Sequence, residues 1–106
     1  MRELVILDEA IDDLKEIARY IAKRERNRER GASFTKRLRD KCSEMAATEA
    51  VLGRPRPQFG YDLRSITFLN YLIFFRYVGE RLEVAAFVHG ARDLATAFAE
   101  REQRDS

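Results

Sequence analysis

The strongest pattern along the chain is an apolar run that turns back on itself. Residues 71–78 are apolar except at Arg76, and residues 81–88 form a second run rich in apolar side chains. Gly79 and Glu80 between them fit a two-residue hairpin loop, because glycine tolerates the positive φ needed at the first loop position. The pattern therefore predicts a β-hairpin at the centre of a sheet.

The two-residue loop also predicts the register of this hairpin. Val78 lies opposite Arg81, and Arg76 lies opposite Glu83, which makes a favourable cross-strand charge pair. One face is then apolar throughout and carries Tyr71, Ile73, Phe75, Tyr77, Leu82, Val84, Ala86 and Val88. This face needs a cover, whereas the other face is mixed and is expected to stay uncovered.

Helical periodicity dominates the first half of the chain. Residues 9–24 and 28–50 carry apolar side chains at three- and four-residue spacing, with charged residues on the opposite side. Asp8 and Asn27 are the predicted N-caps, and a short strand at 2–7 precedes the first helix. Two consecutive helices with a short link form an antiparallel hairpin, and its apolar side can cover the apolar face of the sheet.

A third strand is predicted between the helices and the β-hairpin. Residues 53–57 contain two prolines and end the second helix, since the residue before a proline disfavours helical backbone angles. Residues 61–66 then alternate between apolar and polar positions. Phe68 and Leu69 are expected in the connection to Asn70.

A last amphipathic helix is predicted at 93–101, with Asp93 as its N-cap and residues 101–106 as a frayed tail. The order of elements predicts one α+β domain over residues 1–106. It consists of an N-terminal strand, an antiparallel helical hairpin packed on one face of a mainly antiparallel sheet, and a short C-terminal helix.

Composition narrows the class of protein. The chain has 106 residues, of which 45% are hydrophobic and 36% charged, with a net charge of +2. These values and the lack of a long apolar stretch predict a cytoplasmic protein without membrane association. Arginine outnumbers lysine, which hints at anionic partners.

The charged segment 23–30 is interrupted by glutamates, so it fits a solvated turn better than a partner contact. The lone Cys42 fits a reducing compartment and is expected to be a small core or surface residue.

The residues show no strong catalytic constellation. His89 is the only histidine, and no spacing supports a metal or cofactor site, so none is predicted. His89 is either a general base or a residue that fixes the turn into the last helix. Arg64, Arg76 and Arg92 form a basic rim near the uncovered face. Arg76 is expected to pair with the acid opposite it, and Arg92 either pairs with Asp93 or contacts an anion.

Several motifs together resemble the ParE branch of the RelE/ParE toxin superfamily. They are Leu-Arg-Ser at 63–65, Asn-Tyr-Leu-Ile-Phe-Phe-Arg at 70–76 and Val-His-Gly-Ala-Arg-Asp-Leu at 88–94. The resemblance implies the toxin of a type II toxin–antitoxin system of the plasmid stabilisation kind. It also implies inhibition of DNA gyrase and neutralisation by a ParD-like antitoxin. Direct nucleic-acid binding by the toxin alone is not expected.

The RelE branch of the superfamily implies a different activity, mRNA cleavage in the ribosome by lysines, arginines and a tyrosine. The positions of the lysines fall at about Gly60 and Asp62, that of one arginine at Leu72 and that of the tyrosine at Phe98. Of the residues that the RelE branch implies, this chain keeps only the arginine at Arg92. Leucine and phenylalanine cannot transfer protons, so the chain is not expected to be an enzyme. A RelE-like endonuclease and a non-toxic antitoxin-binding module remain the alternatives. The residues predicted to contact the antitoxin or the target are Arg64, Arg76, His89, Arg92, Asp93 and Phe98.

Overall fold

The computed structural model describes residues 1–105, with side chains up to Arg101, and this part contains three helices and five strands. The elements are β1 (Glu3–Ile6), α1 (Asp8–Glu25), α2 (Arg28–Ala47), β2 (Arg54–Pro55), β3 (Arg64–Phe68), β4 (Tyr71–Val78), β5 (Arg81–His89) and α3 (Leu94–Asp105). The predicted α+β class is confirmed, with the helical hairpin, the mainly antiparallel sheet and the C-terminal helix in the expected order.

The sheet has the strand order β1-β5-β4-β3-β2. β1 runs parallel to β5, and the other neighbouring strands are antiparallel. The sequence pattern did not predict β2, because two residues that include a proline carry no alternation to read. β1 and β2 therefore form the two edges of the sheet.

The central hairpin follows the predicted register from its loop as far as Phe75, which pairs with Val84. Beyond that point the prediction is wrong, because a β-bulge makes Phe74 pair with Ala86 instead of Ala85. One extra residue in a strand reverses the direction of the side chains that follow it. Phe87 therefore packs toward the helices, and Ala86 and Val88 do not.

As a result, both faces of the sheet are apolar and both are covered. The face under α1 and α2, called here the helix-covered face, has a buried core that includes Ile73, Phe75, Leu82, Val84 and Phe87. The opposite or second face buries Leu63, Leu72, Phe74, Ala86, Val88 and Ala97, with Phe59 and Phe98 packed against them. The expectation of an uncovered face is thus wrong, since α3 and the loop before β3 lie on it.

The third strand lies later in the chain than predicted. Asp62 has a φ of 56°, which interrupts an extended strand, and Tyr61 is exposed. β3 therefore starts at Arg64 and includes Phe68. Leu69 and Asn70 form the turn with φ values of 52° and 69°, the left-handed angles typical of a two-residue type I′ hairpin loop.

One of the two predicted helix caps is confirmed. Asn27 Oδ1 accepts hydrogen bonds from the backbone N–H groups of Glu29 and Arg30 at 3.0 and 3.3 Å. Asp8 is not the cap of α1, because Leu7 holds that position without a side-chain hydrogen bond. The Asp8 carboxylate lies in the first turn of α1. There its negative charge interacts favourably with the positive end of the helix dipole. All residues from 23 to 30 are exposed.

The helices α2 and α3 end at residues other than those predicted. α2 stops at Ala47 instead of residue 50, with Thr48 as its C-cap. α3 continues through Asp105, and Arg101 is buried although the prediction placed it in a frayed tail. Ser106, the end of that predicted tail, lies outside the described residues. None of the helices in the described part is long and apolar enough to span a membrane.

Candidate functional site

An open groove of about 920 Å³ lies between α1, α3 and the ends of β4 and β5. Its polar and aromatic lining consists of Asp13, Glu16, Tyr20, Arg24, Phe34, Asn70, Tyr71, Phe87, His89, Arg92, Glu100 and Arg101. Two residues of the predicted site, His89 and Arg92, line this groove. Because this groove brings these side chains together in one concave surface, we treat it as the candidate functional site.

The groove exists because β1 ends before β5 does. β1 pairs only with residues 81–84 of β5. The Leu7 N–H donates to the Val84 carbonyl at 2.9 Å, and the chain then turns into α1. Within the described residues, no strand lies on the outer side of residues 85–89. We call this segment the open edge of β5.

A buried ion pair covers the first part of this open edge. Asp13 Oδ2 accepts a hydrogen bond from the Phe87 N–H at 3.0 Å, and Arg101 Nη2 donates to the Ala85 carbonyl at 3.0 Å. Arg101 Nη1 also donates to Asp13 Oδ1 at 3.1 Å, and the two residues are only 9% and 8% exposed. These side chains therefore satisfy backbone groups that have no neighbouring strand.

Neither member of this ion pair was predicted as a site residue. Asp13 follows Ala10 by three positions and precedes Ile17 by four, so helical spacing places it on the buried side of α1. The spacing thus indicated that Asp13 is buried, whereas its charge suggested a place on the polar side of α1. Arg101 carried no such signal, because its partner is 88 positions away in sequence.

His89 lies at the end of β5 and shapes the turn that follows. Its Nδ1 accepts a hydrogen bond from the Ala91 N–H at 3.1 Å, so the neutral ring carries its proton on Nε2. The ring stands edge-on to Tyr71, with centroids 5.1 Å apart. His89 thus fixes the turn toward α3, and its Nε2–H remains as a donor at the groove.

Tyr71 is a mostly buried residue whose hydroxyl reaches the groove. The residue is 9% exposed and its ring packs edge-on against Phe34 at 5.8 Å. Its hydroxyl has no hydrogen-bond partner among the described residues, yet it is not a fully enclosed atom. Burial raises the pKa of this hydroxyl, Tyr20 raises it further, and Arg24 acts in the opposite direction. The Tyr71 hydroxyl is therefore a polar group without a partner at the wall of the groove.

The two other predicted site residues near α3 have identifiable partners. Arg92 pairs with Glu100 at 3.0 Å, not with Asp93, and both side chains are about half exposed. Asp93 caps α3 as predicted, because its Oδ1 accepts from the N–H groups of Ala95 and Thr96 at 3.0 and 3.3 Å. Asp93 therefore positions the helix that forms one wall of the groove.

The remaining predicted site residues lie away from the groove. Arg64 donates to the carbonyls of Leu52 and Gly53 at 2.7 and 2.9 Å, which ties the segment after α2 to β3. Phe98 stacks on Phe59 with ring centroids 4.8 Å apart and belongs to the core of the second face.

Arg76 lies opposite Glu83 as predicted, but the expected ion pair does not form. The Glu83 carboxylate pairs instead with Arg81, at 3.1 Å, on its own strand. The Arg76 guanidinium lies beside Gly60, at the loop before β3. The structure therefore does not gather Arg64, Arg76 and Arg92 into one basic rim.

The described residues offer no metal site, since they contain no cluster of three or more histidine, cysteine, aspartate or glutamate side chains able to hold an ion. Cys42 is fully buried in the core between the helices and the sheet. Burial raises the pKa of its thiol to about 12. A neutral, enclosed thiol is a poor nucleophile and a poor ligand.

The family profile described as ParE toxin of type II toxin–antitoxin system, parDE, matches residues 4–94. The chain belongs to the ParE toxin family. A solved structure described as the chromosomal ParDE TA system from P. aeruginosa superposes on this ParE-family chain with a TM-score of 0.73 at 16% sequence identity. The match covers 84% of this chain and 96% of the other. Among curated protein sequences, the comparison gives no match.

Proposed function

We propose that this ParE-family toxin acts in the cytoplasm by inhibiting DNA gyrase, without enzymatic activity, and that a ParD-like antitoxin neutralises it. The observation that carries the proposal is the family match over residues 4–94. The likeness to a solved ParDE toxin–antitoxin system supports the pairing with an antitoxin.

The packing of two residues supports the absence of ribonuclease activity. Leu72 is 8% exposed in the core of the second face. In the same core, Phe98 stacks on Phe59 and contacts Phe74 edge-on. These positions correspond to the arginine and the tyrosine that the RelE branch implies. Their side chains cannot stabilise a charged phosphorane or transfer a proton.

The main competing function is RNA cleavage within the groove. One observation favours RNA cleavage: the groove is lined by His89, Tyr71 and Arg24. Histidine and tyrosine are capable of proton transfer, and arginine stabilises a phosphate. The groove also contains the carboxylates of Glu16 and Glu100, which repel a phosphate backbone.

The test is expression of the chain in its host with and without the neighbouring reading frame, followed by two assays on purified protein. A gyrase inhibitor blocks supercoiling of relaxed plasmid or accumulates cleaved DNA, and leaves cellular mRNA intact. Toxicity that produces mRNA fragments and disappears in His89→Ala would establish the ribonuclease instead. Harmless expression without the neighbouring frame would point to an antitoxin-binding module that is not toxic.

A further inference from the structure

We propose that Arg54 and Arg56, at the β2 edge of the sheet, bind the phosphate backbone of duplex DNA. This surface is separate from the groove, and it adds a direct contact between toxin and DNA to the proposed inhibition of gyrase. The inference rests on the proposed function in one respect, because gyrase is the enzyme that brings duplex DNA to this surface.

The excess positive charge of the chain is concentrated in the segment that forms this edge. Residues 50–79 contain four arginines, at positions 54, 56, 64 and 76, and one acidic residue, Asp62. The rest of the chain contains 16 of the 20 basic residues and 17 of the 18 acidic residues, so its charges nearly cancel. A local excess of positive charge attracts polyanions over about 10 Å at moderate salt.

The backbone of β2 places Arg54 and Arg56 on the same side of the sheet. Side chains two positions apart in an extended segment share one face. Arg54 pairs with Ser65, and Ser65 pairs with Phe74, a core residue of the second face. Arg56 Nε donates to the Ser65 hydroxyl at 2.8 Å. Both arginines therefore lie on the second face, at its outer border.

Two prolines hold this segment in an extended conformation. Pro55 and Pro57 have a fixed φ, and each restricts the residue before it, Arg54 or Arg56, to extended backbone angles. The Arg56 N–H also donates to the Leu63 carbonyl at 2.7 Å, which continues the pairing beyond β2. The positions of the two arginines are thus fixed before a ligand arrives, and binding costs less conformational entropy.

Among the described residues, no acidic side chain neutralises this pair of arginines. Arg54 is exposed and makes no ion pair or side-chain hydrogen bond with them. The Arg56 side chain bonds through Nε to the neutral Ser65 hydroxyl, so its two Nη groups remain available. Asp62 lines a hollow of about 410 Å³ together with the two prolines, which alternate with the arginines and face the other side of the strand.

The charges of the two arginines also affect each other. Burial lowers the pKa of the Arg56 guanidinium, and the positive charge of Arg54 lowers it further. A bound anion removes this repulsion. Residues 54 and 56 lie about 7 Å apart along an extended strand, a separation close to that of neighbouring phosphates along one nucleic-acid strand. The pair therefore fits successive phosphates better than a single carboxylate, which neutralises only one cation.

The surroundings of this pair favour a duplex over a single strand. β2 is an edge of the sheet, and a duplex displays its phosphates on its outside, where arginines reach them without a pocket. Single-stranded RNA is recognised by unstacked bases on aromatic side chains. In the loop after β2, Phe59 is already packed against Phe74 and Phe98. Tyr61 is 87% exposed, but the adjacent Asp62 carboxylate repels a strand that approaches its ring.

The first experiment measures the affinity of the full-length chain for a fluorescein-labelled DNA duplex by fluorescence anisotropy, between about 50 and 200 mM NaCl. In Arg54→Gln/Arg56→Gln, the affinity at the lowest salt is expected to fall about tenfold or more, because two charge-assisted contacts are lost. The slope of log K against log [NaCl] is expected to become shallower by about 2, since each arginine neutralises one phosphate.

Arg37→Gln/Arg39→Gln is the matched control. Both residues are exposed on α2 at the same spacing in sequence, so the same net charge is removed from another surface. This variant should keep the affinity and the salt slope of the unmodified chain. Arg54→Lys/Arg56→Lys keeps both charges and should keep the slope, which separates the loss of charge from the loss of the hydrogen bond to Ser65. Equal affinities of the two glutamine variants would overturn the proposal.

A second experiment separates this inference from the proposed function. Supercoiling of relaxed plasmid by gyrase is measured with each variant, and the affinity for gyrase is measured without DNA. We expect Arg54→Gln/Arg56→Gln to need about tenfold more toxin for the same inhibition, and to bind gyrase alone as the unmodified chain does. Weaker binding to gyrase without DNA would assign the arginines to a protein contact and overturn the proposal. If the unmodified chain leaves gyrase active, the proposed function fails, and the duplex affinities still decide the inference.

Two further probes in the same buffer distinguish other sources of phosphate. A labelled single-stranded RNA is expected to bind more weakly than the duplex. Tighter binding of this RNA that is lost in Tyr61→Ala would assign the surface to single strands and overturn the proposal. Inorganic phosphate at equal ionic strength should leave the duplex bound, whereas displacement of the duplex would assign the arginines to free phosphate.

Discussion

At the scale of single residues, burial controls the chemistry of Cys42. Its thiol is fully buried, and its pKa is raised from 9.0 to about 12. Above the pKa of the unfolded state, the unfolded chain loses this proton and the folded chain keeps it. The Cys42 contribution to stability is therefore complete below about pH 9 and is lost as the pH rises toward 12.

We predict that the free energy of unfolding falls more steeply with pH above about pH 9 in the unmodified chain than in Cys42→Ala. The difference in slope approaches about 1.4 kcal/mol per pH unit. Urea unfolding between about pH 8 and pH 11 measures it. The cavity left by Cys42→Ala lowers stability equally at each pH and does not affect the comparison. Parallel pH profiles for the two proteins would contradict the prediction.

The ion pair between Asp13 and Arg101 is a second residue-scale feature with a measurable effect. Arg101→Ala leaves the buried Asp13 carboxylate without this guanidinium, and we expect a loss of about 3 kcal/mol in the free energy of unfolding. Arg92→Ala is the matched control, because its ion pair with Glu100 is exposed and should contribute no more than about 1 kcal/mol. Thermal or urea unfolding of both variants checks the difference, and equal losses would contradict it.

At the scale of secondary-structure elements, α1 and α2 approach each other closely at Gly31. A Cβ atom placed on Gly31 would lie 2.3 Å from the Ala18 carbonyl oxygen of α1. Alanine has the higher intrinsic helix propensity, by about 1 kcal/mol, so an isolated α2 would gain from the exchange. In the folded protein the backbone contact decides the outcome, because the two helices have to move apart.

We predict that Gly31→Ala lowers the free energy of unfolding by about 2 kcal/mol, a typical cost of overpacking. Ser33→Ala, an exposed change in the same turn of α2, is the control and should have little effect. Urea unfolding monitored by circular dichroism measures both. Stabilisation by Gly31→Ala would show that the helices are free to separate at no cost.

At the scale of the whole molecule, the groove joins elements that are distant in sequence: α1, the end of the hairpin β4–β5, and α3. A partner that binds there contacts the folded state and not the unfolded chain. Such binding stabilises the fold by mass action. Antitoxin binding and thermal stability of the toxin should therefore be linked.

We predict that antitoxin at a free concentration of 100 times its Kd raises the free energy of unfolding by about 2.7 kcal/mol. Differential scanning fluorimetry over a series of antitoxin concentrations measures this stabilisation of the folded toxin. The same free energy of unfolding with and without antitoxin would contradict the prediction.

Local sequence patterns determined most of the elements of this protein. Gly79 and Glu80 specified the central hairpin and its first four pairs, and Asn27 marked the start of α2. These features depend on neighbours within a few residues, so one segment of sequence contains all the information they need. The motifs that resemble the ParE branch also indicated the family, and the family match over residues 4–94 confirms it.

Only the tertiary structure decided where the two faces and the groove lie. The bulge beyond Phe75 reversed the faces of β5, and α3 then covered a face that the sequence left open. The Asp13–Arg101 pair and the end of β1 next to Val84 shape the open edge. Each of these features joins segments far apart in the chain, and their geometry follows from how the elements pack against each other. A charged side chain in a helix or near a chain end carries no local sign that it will be buried against a distant strand.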